Sequence, residues 1–231
     1  MSRAHYLVRS IWRTVQGEGA WAGRPAVFVR FAACNLWSGE EADRRRDADR
    51  HGATCPLWCD TDFRAAGAAR LSAGEVVAQA LAVAGNVRFA VLTGGEPLLQ
   101  ADAPLIAALR DAGFFVACET NGTVTLAGAF GSAGAGPDWV VCSPKLPEDR
   151  IVLEAMDELK LVVPDHRPEA SAGLLERVRT HALAGADTRF LWVQPEDGPR
   201  AGAATELAVE LALADPRWRV SVQTHKVLGV E

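Results

Sequence analysis

The chain has 231 residues, of which 49% are hydrophobic and 23% charged, and this composition supports a sizeable core and argues against intrinsic disorder. Its formal net charge of −5 gives no reason to expect a nucleic-acid partner. No apolar stretch approaches the roughly 20 residues of a membrane span, and the amino-terminal segment lacks the apolar core of a signal peptide, so we expect a cytoplasmic protein without a membrane partner.

Short apolar runs predict a series of buried strands. The runs are apolar throughout, which is typical of strands that are covered on both faces in a parallel sheet. In chain order the predicted strands are Pro25–Ala33, Phe89–Leu92, Phe114–Ala117, Trp139–Cys142, Leu159–Val163, Phe190–Val193 and Arg219–Gln223.

Alanine-rich stretches between these runs predict helices. Ser72 followed by Glu75 fits a capping box, Gly85 fits the end of the same helix, and Asp102 fits the cap of the next one. Alternating strands and helices, without the length for eight full units, predict an α/β fold of the incomplete (β/α) barrel type. We expect one domain over residues 1–231 with a charged insert at about 38–54, which we interpret as a solvated helix or loop. The predicted helices are Ala73–Ala84, Pro104–Ala112, Ala170–Ala182 and Ala203–Ala214.

Three of the five cysteines are grouped after the first predicted strand. Cys34, Cys55 and Cys59 have the spacing C-x20-C-x3-C. An odd number of cysteines with three in a group favours a metal site over disulfides. Three thiolates can hold a four-iron cluster with one iron left open, or a zinc ion with His51 or Asp60 as the fourth ligand. Spacing alone leaves the cluster, the zinc site and ordinary cysteines open.

A paired-glycine turn, Thr93-Gly94-Gly95-Glu96-Pro97, follows the second predicted strand. Glycines without a Cβ allow the backbone to press against a ligand. Pro97 favours an extended conformation at Glu96. The carboxyl ends of strands are where α/β folds bind ligands, so the turn favours a cofactor site next to the cysteines.

Nine short motifs, in order from about residue 10 to the end of the chain, carry a family resemblance. They resemble the 7-carboxy-7-deazaguanine synthase family of the radical S-adenosylmethionine superfamily. The motifs are VQGEG at Val15, GRPAVFVRF at Gly23, CNLWSG at Cys34, CDTDF at Cys59, TGGEP at Thr93, ETNG at Glu119, SPK at Ser143, QPEDGP at Gln194 and QTHK at Gln223.

The resemblance implies a lyase with the modified barrel of radical S-adenosylmethionine enzymes. It implies conversion of 6-carboxy-5,6,7,8-tetrahydropterin to 7-carboxy-7-deazaguanine with loss of ammonia, in 7-deazapurine (queuosine) biosynthesis. Cys34, Cys55 and Cys59 resemble the ligands of a [4Fe-4S] cluster whose open iron holds S-adenosylmethionine, and Thr61 resembles a Mg²⁺ ligand. A 5′-deoxyadenosyl radical then takes a hydrogen atom from the substrate.

The resemblance also implies further contacts and partners. Arg30 suits a substrate carboxylate on physical grounds too, because a guanidinium in an apolar strand needs an anion, although a structural salt bridge is the alternative. A flavodoxin or ferredoxin reductant and a homodimer are implied. The implied cofactor contacts are Trp58, Asp60, Gly95, Glu119, Ser143, Pro144, Lys145, Gln194, Pro195, Glu196 and Asp197. The implied substrate contacts are Val15, Gln16, Gly17, Arg30, Thr93, His225 and the terminal carboxylate of Glu231.

The cysteine spacing departs from the superfamily's usual C-x3-C-x2-C. The first gap is longer, and the second has one extra residue, which puts the loop path at Trp58 in question without removing a ligand. Cys118 and Cys142 lie in apolar runs, and we interpret them as packing residues. Two other functions remain open: a glycyl-radical activase of the same superfamily, and a non-catalytic zinc-binding module. The QGEG and QTHK motifs favour the pterin substrate.

Overall fold

The computed structural model describes residues 5–57, 61–131, 135–153, 155–166 and 188–230. The strands in this part of the chain are β1 (Tyr6–Val15), β2 (Pro25–Phe31), β3 (Ala69–Leu71), β4 (Phe89–Gly94), β5 (Phe115–Thr120), β6 (Trp139–Cys142), β7 (Glu158–Val163), β8 (Phe190–Pro195) and β9 (Trp218–Val220). The α-helices are α1 (Arg44–His51), α2 (Ala73–Ala84), α3 (Ala103–Asp111), α4 (Leu126–Phe130), α5 (Ala201–Ala214) and α6 (Thr224–Leu228).

All nine of these strands belong to one sheet, in the order β3-β1-β2-β4-β5-β6-β7-β8-β9. From β2 to β9 each neighbouring pair is parallel, whereas β1 runs antiparallel to both β2 and β3. Within the described residues the sheet does not close, since β3 and β9 are its two edges. This architecture fits the predicted incomplete barrel.

Predicted and observed elements differ mainly at the amino terminus. All seven predicted strands and helix α2 are present. β1 was missed because Arg9 and Arg13 interrupt its apolar pattern, and β3 was missed because it has only three residues, one of them an arginine. The Ser72–Glu75 capping box is present, and the carboxylate of Asp102 caps α3 by accepting the N–H of Leu105 at 3.2 Å. The predicted helix over 170–182 lies outside the described residues. No helix in the described part is long and apolar enough to cross a membrane.

The outward face of the sheet carries the main core. Alternate strand residues such as Val29, Leu92 and Leu159 are fully buried there. They pack in one cluster with helix residues that include Leu105 of α3 and Leu211 of α5. Burial of one such leucine side chain contributes about 2 kcal/mol, so this layer fixes the strands that carry the site.

The inward face begins with a layer of aromatic rings at the amino ends of the strands. Trp21, in the turn between β1 and β2, lies 5.6 Å from Phe89, 5.8 Å from Phe115 and 5.2 Å from Trp139 between ring centroids. We call Trp21, Phe89, Phe115, Trp139 and Phe190 the aromatic floor. Phe89 and Trp139 are buried, and the other three rings are partly buried and pack against the same cluster. The aromatic floor fills the amino-terminal end of the sheet's concave face.

Candidate active site

A cavity of about 230 Å³ lies at the carboxyl ends of the parallel strands. Along β4, for example, the inward side chains change from Phe89 through Val91 to the polar Thr93, because alternate residues of a strand share a face. The same change from apolar to polar occurs on β5, beyond β6 and on β8. The polar ends that line the cavity are Thr93, Glu119, Ser143, Lys160 and Gln194.

The fold collects most of the predicted site around this cavity. The lining includes Thr61 and Thr93 together with the predicted cluster and cofactor positions Cys34, Cys55, Gly95, Glu119, Ser143, Lys145, Gln194, Pro195, Glu196 and Asp197. Among the described residues the cavity lining leaves out Val15, Gln16, Gly17, Arg30, Pro144 and His225. Trp58, Cys59, Asp60 and Glu231 lie outside the described residues.

Two predicted substrate segments lie against each other beside the cavity. The N–H of Thr224 donates to the carbonyl of Gly17 at 2.9 Å. A Cβ at Gly17 would overlap the imidazole of His225, so only glycine allows this approach. Gln16 donates from Nε2 to Oε1 of Glu119 at 2.8 Å. The VQGEG and QTHK motifs are therefore neighbours, and the first of them also reaches a cavity carboxylate.

Arg30 lies on β2 in register with Thr93 of β4. Its guanidinium carbon is 4.6 Å from the ring centroid of Trp12. Stacking on an aromatic face leaves the in-plane N–H groups of a guanidinium directed outward, in the fork that matches a carboxylate. The placement is compatible with the predicted contact to a substrate carboxylate.

Hydrogen bonds from backbone N–H groups hold the chain beside both Cys34 and Cys55. The Sγ of Cys34 accepts the N–H of Leu36 at 3.4 Å. The N–H of Thr54 donates to the carbonyl of Lys145 at 3.0 Å, next to Cys55. Sulfur atoms that accept backbone N–H groups are typical of iron–sulfur ligands, whose negative charge these bonds stabilise.

The charged insert is more than a solvated element. Its helix α1 buries Ala48 completely against Leu36, Ala53 and Leu146. Arg44 at the start of α1 lines the cavity and donates to the carbonyl of Leu57 at 2.9 Å, two residues before Cys59. The expectation of a solvated helix or loop is thus correct for the exposed charged side chains of the insert and wrong for the buried Ala48. The insert supports the cysteine segment.

The paired glycines fit tightly against the end of β2. Gly94 has φ of +129°, and a Cβ there would overlap the backbone of Phe31. A Cβ at Gly95 would overlap the carbonyl oxygen of Ala33 and lie 2.9 Å from the Cβ of Cys34. The sequence predicted close approach to a ligand; the structure adds close approach to the chain that carries Cys34.

Glu96 has a role that the sequence did not indicate. Its carboxylate is fully buried and accepts from the Thr120 hydroxyl at 2.7 Å, the Asn121 N–H at 2.7 Å and the Leu98 N–H at 3.0 Å. Burial raises the pKa of Glu96 in spite of these three donors. The carboxylate joins the TGGEP turn to the ETNG turn, and so fixes the spacing of β4 and β5 at the cavity.

A charged network formed by Glu18, Lys160 and Glu119 was also missed. The side chain of Lys160 is only 4% exposed, contacts the carboxylate of Glu18 and lies 3.5 Å from that of Glu119. Gln194 and Gln223 donate from Nε2 to Oε1 of Glu18 at 2.9 Å and 2.7 Å. The available signal was a lysine inside the apolar run LKLVV, because a buried ammonium requires anionic partners.

Several curated relatives of this chain carry the same name. No family model matches the chain. Curated relatives from Bradyrhizobium diazoefficiens, Caulobacter vibrioides and Bordetella pertussis are 44%, 43% and 42% identical to it. Each match covers 97% of this chain and 99% of the relative, and each relative is named 7-carboxy-7-deazaguanine synthase.

The chain belongs to the 7-carboxy-7-deazaguanine synthase family. The resemblance predicted from nine short motifs is thereby confirmed. A solved structure, the crystal structure of QueE from Escherichia coli, matches with a TM-score of 0.66 at 24% identity, over 96% of this chain and 95% of that one. That likeness concerns the fold, and it confirms the predicted incomplete, modified barrel for this member of the 7-carboxy-7-deazaguanine synthase family.

The buried charges of Lys160 and Glu18 make the stability of this family member dependent on pH. Burial alone would raise the pKa of Glu18, but the Lys160 ammonium and the two glutamine amides lower it to about 2 from the usual 4.5. Burial alone would lower the pKa of Lys160, but Glu119 and Glu18 raise it above its ordinary value. Both groups are therefore ionised at neutral pH.

We expect Glu18→Gln to reduce stability at neutral pH and to lose this effect in acid. A folded-state pKa below the unfolded value stabilises the native state above about pH 4.5, and this stabilisation is lost as the pH falls towards 2. The measurement is urea unfolding of both proteins from pH 7 to pH 3. A stability difference that is constant across this range would contradict the ionised pair.

Proposed function

We propose that the chain is a radical S-adenosylmethionine enzyme that converts 6-carboxy-5,6,7,8-tetrahydropterin to 7-carboxy-7-deazaguanine with loss of ammonia, in queuosine biosynthesis. The observation that carries the proposal is near-complete coverage by relatives of that name at 41–44% identity. The cavity supports it, because cysteines, a glycine turn and carboxylates from distant parts of the sequence meet there.

The residues at one side of the cavity fit an iron–sulfur cluster and its sulfonium ligand. Cys34 and Cys55 supply two thiolates, and we assign the third to Cys59. When bound, the cluster and S-adenosylmethionine supply the 5′-deoxyadenosyl radical that removes a hydrogen atom from the substrate. Glu119 offers a carboxylate to ribose hydroxyls. Ser143 is held for a similar contact by Lys145, whose Nζ donates to its hydroxyl at 2.7 Å.

Four further cofactor positions are assigned to the end of β8 and the loop that follows it. The QPEDGP segment begins on that strand, and its residues Gln194 to Asp197 line the cavity. Glu196 is held by Arg200, which donates to both carboxylate oxygens at 2.8 Å and 3.0 Å. Such bidentate pairs are rigid, so the backbone of this segment is fixed for contact with a ligand.

The substrate is assigned to the side of the cavity nearest β1 and β2. Arg30 binds its carboxylate, and Gln16, Thr93 and His225 orient the ring. The Thr61 hydroxyl would hold Mg²⁺, a hard cation that prefers oxygen ligands and would draw the oxygens of the substrate to this side of the cavity. The aromatic floor excludes water from below, which protects reactive intermediates.

Anaerobic turnover of the tetrahydropterin tests the proposed function. Reconstituted protein with S-adenosylmethionine, Mg²⁺ and dithionite is expected to produce 7-carboxy-7-deazaguanine, detected by mass spectrometry. Iron-loaded protein that cleaves the cofactor without making this product would point to another radical enzyme. Colourless protein with one bound zinc would point to the binding module.

Arg30→Ala is expected to raise the Michaelis constant for the pterin at least about tenfold, because a desolvated arginine–carboxylate pair is lost. Cofactor affinity should change little. Arg24→Ala is a matched control, since Arg24 also stacks on an aromatic ring, that of Trp21 at 4.5 Å, but at the aromatic floor. Steady-state kinetics of the three proteins decide the point. An unchanged Michaelis constant in Arg30→Ala would make Arg30 structural.

Thr61→Ala is expected to increase the Mg²⁺ concentration needed for half-maximal activity, because one hydroxyl ligand is removed. Thr61→Ser keeps a hydroxyl at the same position and should titrate like the native protein. The measurement is product formation against Mg²⁺ concentration. Identical titrations for all three proteins would remove Thr61 from the metal site.

We further propose that a flavodoxin or ferredoxin supplies the electron and that the enzyme works as a homodimer. Both assignments follow from the family. Sedimentation analysis of the loaded enzyme tests the dimer, and turnover with each purified reductant in place of dithionite tests the electron donor.

A further inference from the structure

The cysteine segment, residues 34–57, has a small core of its own. This core is a cluster separate from the main core and from the aromatic floor. Its four buried members are Leu36, Ala48, Ala53 and Leu146. Cys34 and Leu57 are partly buried and pack against them. Small satellite clusters of this kind stabilise long connections, so the charged insert is an integral part of the folded segment.

One face of helix α1 is directed into this segment. Arg44, Asp47 and Ala48 are three and four positions apart, so their side chains project from the same side of the helix. Asp47 and Ala48 are buried. On the other side, the side chains of Arg45 and Asp49 are 72% and 58% exposed. The inner face of α1 therefore presents one cation, one anion and one methyl group to the cysteine segment.

The two charged residues of this face hold different limbs of the segment. The carboxylate of Asp47 accepts the backbone N–H of Ser38 at 2.8 Å, four residues after the first cysteine. The guanidinium of Arg44 donates to the carbonyl of Leu57 at 2.9 Å, two residues after the second cysteine. Helix α1 thus bridges the limb that follows each cysteine.

The carbonyl of Leu57 lies in the second cysteine gap, which has one residue more than the usual C-x2-C. An added residue brings one more peptide group whose polar atoms need partners. The thiolates and sulfides of an iron–sulfur cluster are acceptors, so a carbonyl directed at them would meet negative charge and no donor. Arg44 supplies the donor, and it lines the same cavity as Cys34 and Cys55.

We propose that Arg44 is a positioning residue that holds the lengthened loop after Cys55 for the cluster, while Asp47 holds the limb after Cys34. The proposal rests on the cluster that the proposed function assigns to these cysteines. It couples the two departures from the usual cysteine spacing, because the long insert supplies the donor that the extra residue requires. The positive charge of Arg44 also complements an anionic cluster.

Iron release to a chelator tests the positioning role without turnover. Arg44→Met keeps the aliphatic stem but donates no hydrogen bond, and Arg44→Lys restores a charged donor. Each protein is reconstituted anaerobically and mixed with excess EDTA, and the decay of the visible cluster absorption is followed. Arg44→Met should lose iron about tenfold faster than the native protein, the effect of one hydrogen bond from a charged donor. Arg44→Lys should recover most of the native rate.

The reduction potential of the cluster gives a second, independent measurement. Reduction adds negative charge, which a nearby cation stabilises, so Arg44→Met should shift the potential to more negative values. Redox titration followed by electron paramagnetic resonance measures this shift. Arg44→Lys keeps the charge and should stay close to the native potential. A contact that only supports the fold would leave the potential unchanged.

Two further variants serve as control and as test of the other limb. Arg45→Met is the matched control, because Arg45 lies on the outer face of α1, 3.8 Å from Asp49, and should release iron like the native protein. Asp47→Ala leaves the N–H of Ser38 without its acceptor and should release iron faster. Circular dichroism of each reconstituted protein shows whether the sheet is folded.

Several results would overturn the inference. One is native iron release and native potential in folded Arg44→Met, and another is equal acceleration by Arg44→Met and Arg45→Met. If Arg44→Met does not fold, Arg44→Gln replaces it, and native behaviour of that variant has the same meaning. Native protein that binds no cluster would contradict this inference and the proposed function together. Iron-loaded protein that makes no deazaguanine would contradict the proposed function alone.

Discussion

Replacing Cys34 or Cys55 with alanine is expected to abolish the brown iron–sulfur chromophore and the formation of 7-carboxy-7-deazaguanine. Both thiols line the cavity, and Cys34 accepts a backbone N–H that stabilises its thiolate form. A cluster with a single open iron needs three thiolates, so each loss removes a ligand that nothing else in the described lining replaces. Iron content and the visible absorption of anaerobically reconstituted protein are the measurements.

Two other cysteines provide the matched controls. Burial raises the pKa of Cys118 well above its usual value and that of Cys142 to about 12. Both therefore remain protonated thiols at neutral pH, and a protonated thiol is a poor metal ligand. Cys118→Ala and Cys142→Ala should keep their iron. Native iron content in Cys34→Ala or Cys55→Ala would remove that residue from the ligand set.

Gly95→Ala is expected to lower the free energy of unfolding by about 2–4 kcal/mol and to lower the iron content of the protein. The added methyl group overlaps the carbonyl oxygen of Ala33 and presses on the Cβ of Cys34. Backbone atoms at the end of a buried strand cannot move aside cheaply, so the strain is transmitted to the cysteine. Urea unfolding and iron analysis measure the two consequences separately.

Gly74→Ala is the matched control for this substitution. Gly74 lies in the first turn of α2, and a Cβ there has nothing within 4 Å. Alanine is favoured over glycine in a helix by about 1 kcal/mol, so this variant should be neutral or slightly more stable. If Gly95→Ala behaves in the same way as Gly74→Ala, the tight fit of the glycine turn against β2 is wrong.

Much of the fold could be predicted because its signals are local. The run WVVC predicts β6 residue for residue, and Ser72 with Glu75 marks the start of α2. β1 could not be recognised in this way, since its sequence YLVRSIWRTV mixes polar and apolar residues on both faces. Its strand conformation depends on pairing with β2, which is a tertiary interaction.

The site residues, like the strands, could be predicted only where the signal is local in the sequence. Motifs such as TGGEP placed Gly95 and Thr93 at the cavity, because a turn after a parallel strand always lies at the carboxyl edge. The lysine in the apolar run LKLVV indicated that Lys160 needs anionic partners, but the network could not be predicted, since Glu18 and Gln223 lie far from Lys160 in the sequence. Only the folded sheet brings their side chains within hydrogen-bonding distance.

On the same strands, the aromatic floor provides packing and the polar strand ends above it provide ligand contacts. The rings of the aromatic floor pack against one another in tilted and edge-on arrangements and hold the shape of the sheet. The groups that meet ligands begin about four residues later on β4, β5 and β8. A substitution at an upper position therefore leaves the packing of the aromatic floor itself in place. Such a scaffold is well suited to acquiring new substrates over evolutionary time.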